Sequence, residues 1–183
     1  RASLDEALAL SLGSREFRAR VEVEGIIHGW REGDIARAGR EARRLLLDYA
    51  VLCPKDPRPA IRLAEYDIAE GMVDMAETHL SNMLNICPDE PGVHVNLAVV
   101  YKKTHRLNDA ESELRTALEL HPLLGTAWID LGHVCMEMGQ FQEAIRAFEA
   151  AQACEGVEER ELWPNLARGH ARLASTLSKQ GDA

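Results

Sequence analysis

Residues 125–156 read GTAWIDLGHVCMEMGQFQEAIRAFEAAQACEG, and this stretch decides the fold. Its apolar residues recur three or four positions apart on both sides of Gly139, which is the pattern of two short amphipathic helices joined by a tight turn. Each helix carries one apolar stripe, and a helix of this length cannot bury that stripe alone. The stretch therefore predicts a helix pair that packs against similar neighbours.

The same pattern recurs twice toward the N-terminus, each time at a spacing of 34 residues. Three copies in one register indicate a repeat protein, because each pair then buries its stripe against the next. The recurring apolar positions are Leu63, Ala64, Ala76 and Leu80, then Leu97, Ala98, Ala110 and Leu114, then Leu131, Gly132, Ala144 and Phe148. The predicted helices cover about 57–70 and 73–86, 91–104 and 107–120, and 125–138 and 141–154, within repeats 57–90, 91–124 and 125–159.

The flanking segments are less regular. Residues 1–13 predict a short N-terminal helix, and residues 19–56 predict a degenerate repeat. Its turn glycine precedes the next one by 38 residues and its proline by 34, so its second helix contains four extra residues, about one helical turn. Residues 160–183 predict one long or capping helix, because Ala174 stands where the turn glycine is due.

The motif of Trp128, Leu131 and Gly132, followed by Ala144 and Phe148, resembles the tetratricopeptide repeat, whose 34-residue unit contains W-x2-L-G and A-x3-F. The resemblance implies an all-α fold, a right-handed superhelical solenoid of stacked helix-turn-helix pairs. It implies one solenoid over residues 1–183, and we expect a larger parent protein. The chain departs from the family pattern at three columns, which hold His94, Asp67 and Gly156.

Composition and motifs exclude several functions. The formal net charge is −9 at pH 7, which disfavours nucleic acid as a partner, and no apolar run is long enough for membrane insertion. The four cysteines form no metal-ligand cluster, so we expect reduced thiols and a cytoplasmic protein. No nucleotide-binding, zinc-protease or serine-hydrolase motif is present. We therefore expect no enzyme activity, no metal and no cofactor in these residues.

In a solenoid of helix pairs the first helices line the concave side, so their exposed columns form the predicted groove. These columns hold eight basic and five acidic residues, an excess that favours an acidic peptide above an apolar floor. The degenerate repeat contributes residues between 20 and 31. In members of the family, asparagines in the column of Asn96 and Asn165 hold the backbone of an extended peptide. The predicted peptide-binding residues are Arg58, Arg62, Glu65, Asn96, Val99, Lys102, Lys103, Asp130, His133, Asn165 and Arg168.

Three hypotheses of function remain open at this stage. The first is a non-catalytic scaffold or adaptor that binds a peptide or protein segment in the concave groove. The second is a substrate-selecting or localising arm of a larger enzyme, such as a glycosyltransferase or sulfotransferase. The third is self-association, in which the N-terminal helix docks into the groove of another copy and so builds a polymer.

Overall fold

The structure, a computed structural model, describes residues 35–181, and the regular structure of this range is entirely α-helical. It contains eight helices in this range, which confirms the all-α helical repeat architecture. They are α1 (Ile35–Leu52), α2 (Arg58–Ala69), α3 (Val73–Ile86), α4 (Pro91–Lys103), α5 (Leu107–Leu120), α6 (Gly125–Glu137), α7 (Phe141–Gln152) and α8 (Glu159–Gly181). The predicted N-terminal helix and the first helix of the degenerate repeat lie outside the described residues. None of the described helices has the length and apolar character needed to cross a membrane.

The chain divides into two compact units at the Pro88–Asp89 boundary. In unit 1, α2 packs against both α1 and α3. The core between α1 and α2 is formed by Leu46, Tyr49 and Leu63. Helix α1 has 18 residues and α3 has 14, a difference of about one helical turn.

In unit 2 the helices pack in chain order, from α4 on α5 through α7 on α8. The leucines of the repeat column are buried, with Leu97 and Leu131 exposing 1% and 7% of their surface. At the centre, the fully buried ring of Phe148 in α7 lies over Gly132 in α6. A Cβ added at Gly132 would lie 2.4 Å from a ring carbon, so glycine is needed for the two helices to approach this closely.

The turns inside the helix pairs share one backbone device. Gly71 and Gly139 adopt φ of +79° and +76°, the left-handed conformation that glycine takes without steric cost. The equivalent residue between α4 and α5 is His105, which adopts φ of 58° despite its side chain. All three positions fall 34 residues apart, so the repeat register specifies the turn as well as the helices.

Two of the departures from the family pattern are buried polar residues. In unit 1, Asp67 is fully buried, and its Oδ1 lies 2.7 Å from Nη1 of Arg43 on α1. His79 Nε2 lies 3.4 Å from the other carboxylate oxygen. In unit 2, His94 Nδ1 lies 2.6 Å from Oε2 of Glu113, which joins α4 to α5. Each of these two residues therefore makes a polar contact between helices.

Helix α8 is a single helix of 23 residues where a complete repeat would have two short helices. It contains Pro164, which removes one backbone donor near the helix start. Leu162 is buried in the core of unit 2, whereas Trp163 is 58% exposed. Its counterpart Trp128 is half-buried, and its indole nitrogen donates to the Pro122 carbonyl at 2.8 Å.

We predict that Gly132→Ala destabilises the protein by up to about 2 kcal/mol. Alanine in a helix interior ordinarily gains about 1 kcal/mol over glycine, but displacing the buried Phe148 ring costs about 1–3 kcal/mol. Chemical denaturation monitored by circular dichroism measures the change. Adding Phe148→Leu to Gly132→Ala tests the cause: the double variant should lose less than the sum of the single variants, and strict additivity would contradict the proposed clash.

We predict that Arg43→Met destabilises the protein by about 2–4 kcal/mol near neutral pH and by less below about pH 4. Burial is the largest influence on the pKa of Asp67 and raises it above its ordinary 3.8. Arg43 and His79 lower this pKa by smaller amounts. Because the Asp67 carboxyl binds its proton more tightly in the folded state than in the unfolded state, its contribution to the free energy of unfolding decreases as pH rises above 3.8. Removing Arg43 penalises only the ionised carboxylate. Arg44→Met, on the exposed side of α1, is the matched control, and an equal loss at both pH values would contradict the account.

Candidate functional site

The first helices of unit 2 bring charged side chains from three parts of the sequence to one cleft of about 570 Å³. Lys102 comes from the end of α4, His133 from the middle of α6, and Arg168 from α8. Residues one helical turn apart share a face, which is why His133 and Glu137 on α6, and Arg168 and Arg172 on α8, line the cleft together. The remaining lining residues are Met136, Gly139 and Phe141.

A network of polar contacts joins the three helices beside the cleft. Lys102 Nζ lies 3.4 Å from Asp130 Oδ1, a long contact for an ion pair that links α4 to α6. On α8, Arg168 Nη2 donates to Asn165 Oδ1 at 2.8 Å. Asn165 also forms a side-chain hydrogen bond with His133 of α6. These five residues, all among the predicted site residues, therefore lie together on one surface.

His133 lies at the centre of this network and is half-buried. Its ring contacts Phe148 edge to face, with 5.4 Å between ring centroids. Burial is the first cause that lowers the pKa of His133 below its ordinary 6.5, and the positive charges of Lys102 and Arg168 lower it further. The Asp130 carboxylate and the Asn165 hydrogen bond act in the opposite direction. The imidazole is consequently neutral at pH 7.

The cleft combines apolar and charged side chains. Half-buried Met136 and Phe141 provide apolar contact, and Arg168, Arg172 and Glu137 are exposed.

The thiol of Cys135, on α6, is buried. Burial raises the pKa of this thiol to about 11, so that it is not ionised at neutral pH. Among the side chains that the structure describes, no three of His, Cys, Asp or Glu are grouped as a metal site would require.

The predicted site residues of unit 1 are held in contacts of their own. Arg58 forms a bidentate ion pair with Asp56 and lies 3.4 Å from the Tyr49 hydroxyl. The Arg58 hydrogen bonds are the main cause that lowers the pKa of Asp56 below 3.8. Burial, followed by the Asp56 hydrogen bond, raises the pKa of Tyr49 to about 12. Arg58 therefore fastens the start of α2 to the loop after α1.

Of the other predicted residues, three form side-chain contacts within their own helix, one is half-buried and one is exposed. Arg62 Nη1 lies 2.6 Å from Glu65 Oε2, a pair along one face of α2. On α4, Asn96 Nδ2 donates to the Gly92 carbonyl at 2.8 Å, Val99 is half-buried and Lys103 is exposed. None of these five residues lines the cleft of unit 2.

The predicted peptide-binding residues did not include Phe141, Gly139, Met136, Glu137 or Arg172, of which the last three belong to the exposed first-helix columns of the predicted groove. Phe141 begins the second helix of its repeat, which the prediction assigned to the other side of the solenoid. Its side chain reaches the cleft because the left-handed turn at Gly139 brings the start of α7 back beside α6. Arg172 follows Arg168 by one helical turn and so lies on the same face of α8, as its place in the groove columns indicates.

Comparison with known proteins agrees with this architecture. Residues 125–155 match the family model of the tetratricopeptide repeat. MamA superimposes with a TM-score of 0.66 over 85% of this chain and 82% of its own, at 15% identity. The first TPR domain of Spaghetti (RPAP3), bound to the HSP90 peptide SRMEEVD, gives a TM-score of 0.59 at 20% identity, over 63% of this chain and 90% of that one.

The TPR2B domain of yeast Sti1, from its complex with pHsp70, gives a TM-score of 0.57 at 17% identity, and the match covers 61% of this chain and 94% of that domain. These matches and the helix pairs define the class of protein as an α-helical repeat. Residues 125–155 carry the sequence pattern of the tetratricopeptide repeat, and the described chain is similar in fold to proteins built from such repeats.

We predict that the pKa of His133 lies below 6.5 and that Lys102→Met raises it, because the substitution removes a nearby positive charge. A pH titration of the imidazole Cε1–H resonance by NMR measures both values. Lys103→Met, which removes an exposed charge from the next position on α4, is the control and should leave the His133 pKa unchanged. A His133 pKa above 6.5 in the native protein would contradict the described surroundings.

Proposed function

We propose that this protein is a non-catalytic interaction scaffold that binds a peptide or protein segment of a partner in the cleft of unit 2. The observation that carries the proposal is the convergence of Lys102, His133 and Arg168 from three successive first helices beside half-buried apolar side chains. Such a surface offers both apolar contact and fixed hydrogen-bonding groups, which are the two requirements for recognising a polypeptide segment.

Two of the structurally similar domains support this use of the fold. The RPAP3 domain is bound to an HSP90 peptide, and the Sti1 domain is in complex with pHsp70. We propose that the segment bound by this chain is acidic, because Lys102, Arg168 and Arg172 outnumber the carboxylates of the same cleft. Arg58, Arg62 and Glu65 are proposed as a separate contact region of unit 1, and Lys103, at the end of α4, as a further contact in unit 2.

The state of the four cysteines bears on the compartment in which the protein works. Buried Cys135 and Cys154 and half-buried Cys53 and Cys87 are all free thiols, a state that suits the reducing cytoplasm. The cleft offers charge and apolar contact and needs no cofactor to bind a peptide. We therefore propose a cytoplasmic scaffold whose work is binding alone.

We predict that the double variant Lys102→Glu with Arg168→Glu reduces partner capture at least about tenfold, because both changes place negative charge where an acidic segment binds. Affinity capture from an extract of the source cell, quantified by mass spectrometry, measures the loss. Arg44→Glu with Lys179→Glu is the matched control, since it makes the same charge change at exposed positions outside the cleft. If the cleft variant and the control retain the same partners at the same levels, the cleft is not the binding surface.

A further inference from the structure

His133 is the one titratable group of the cleft network whose ordinary pKa lies near neutrality. The charged and polar groups that face it come from three helices: Lys102 from α4, Asp130 from its own helix α6, and Asn165 and Arg168 from α8. From α7, the Phe148 ring contacts the imidazole and brings no charge. Glu137 and Arg172 line the same cleft further out.

We propose that the cleft binds a carboxylate of the partner segment and that His133 takes up a proton as the carboxylate binds, so that affinity for an acidic segment rises as pH falls. This inference rests on the proposed function, because it assigns a ligand group and a pH dependence to the same cleft. It concerns one recognition contact, between the imidazolium and a carboxylate, and involves no covalent step.

The charges in and beside the cleft explain why the proton is absent before binding. Lys102, Arg168 and Arg172 outnumber Asp130 and Glu137 by one positive charge while His133 is neutral. A second positive charge on the half-buried imidazole would be opposed by Lys102 and Arg168 and by the loss of hydration. The cleft without its ligand therefore holds His133 in the neutral form.

A bound carboxylate reverses this balance. Lys102 already lies beside Asp130 at 3.4 Å, and Arg168 already donates to Asn165, so neither cation is fully available to neutralise a further anion. The negative charge of an incoming carboxylate would therefore act on His133 and raise its pKa. By linkage, affinity is highest below the pKa of the free cleft and is lost as pH rises through the higher pKa of the complex.

None of the other described histidines lines the cleft. His94 is buried in the core of unit 2, with Nδ1 at 2.6 Å from Glu113, and does not line the cleft. His170 lies on the exposed side of α8, also outside the cleft. His170→Gln is therefore the matched control for His133→Gln.

The test uses the full chain and two end-blocked peptides of equal length, oligoglutamate and oligoglutamine. NMR reports binding through the resonances of Lys102 and Arg168 and reports protonation through the His133 imidazole. We expect oligoglutamate, but not oligoglutamine, to raise the His133 pKa by about one unit, and to bind more tightly near pH 5.5 than near pH 8, by up to about tenfold. His170→Gln should reproduce the native result, and His133→Gln should bind oligoglutamate with an affinity that changes less than about twofold over this range.

Two outcomes would overturn the inference, and they differ in what they leave standing. If oligoglutamate shifts the Lys102 and Arg168 resonances while the His133 pKa stays constant, the proton uptake is wrong and the binding cleft remains. If neither peptide shifts these resonances at either pH, both the carboxylate site and the proposed function of the cleft are wrong.

Discussion

The packing of one short helix against the next is the interaction on which this structure depends. Phe148 shows the constraint most clearly: its ring is fully buried over Gly132, at a distance that no larger residue would permit. Burying such a side chain stabilises the fold by about 1.5–3 kcal/mol, but only when the neighbouring helix is in register. The same contact fixes the rotation of α6, and the rotation of α6 sets the direction in which His133 faces.

The cleft follows from this packing. The second helices bury the apolar stripes, which leaves the opposite faces of α4, α6 and α8 exposed. Side chains from these three faces line the cleft of unit 2. Lys102, Asp130 and Asn165 are far apart in sequence, yet they fall into one network because the repeat returns the chain to the same orientation. A repeated packing contact therefore arranges a cleft whose lining residues differ from one repeat to the next.

Much of the fold could be predicted from the sequence because its period is strict. The helices found at Val73–Ile86 and Leu107–Leu120 coincide with the predicted ones, and the left-handed turns occur where the period places them. The grouping of Lys102, His133 and Arg168 was accessible for the same reason, since equivalent positions of successive first helices face one way.

What the sequence did not reveal depends on contacts between side chains of different helices. The pattern identified Asp67 as a departure from the family, but it did not indicate that the charge of Arg43 compensates the burial of the Asp67 carboxylate. It assigned Arg58 to an open groove, whereas Asp56 and Tyr49 hold its guanidinium. Such pairings depend on rotamers and on loop paths, for which a helical period carries no information.

Hydrogen–deuterium exchange on the chain bound to its captured partner tests the central claim most directly. If the open faces of the first helices form the recognition surface, amides of α4, α6 and α8 around the cleft gain protection on binding, while those of α5 remain as in the free protein. Protection concentrated on α5 and the outer side of α7, with none in α4 or α8, would show that the partner binds the opposite face and would contradict the account.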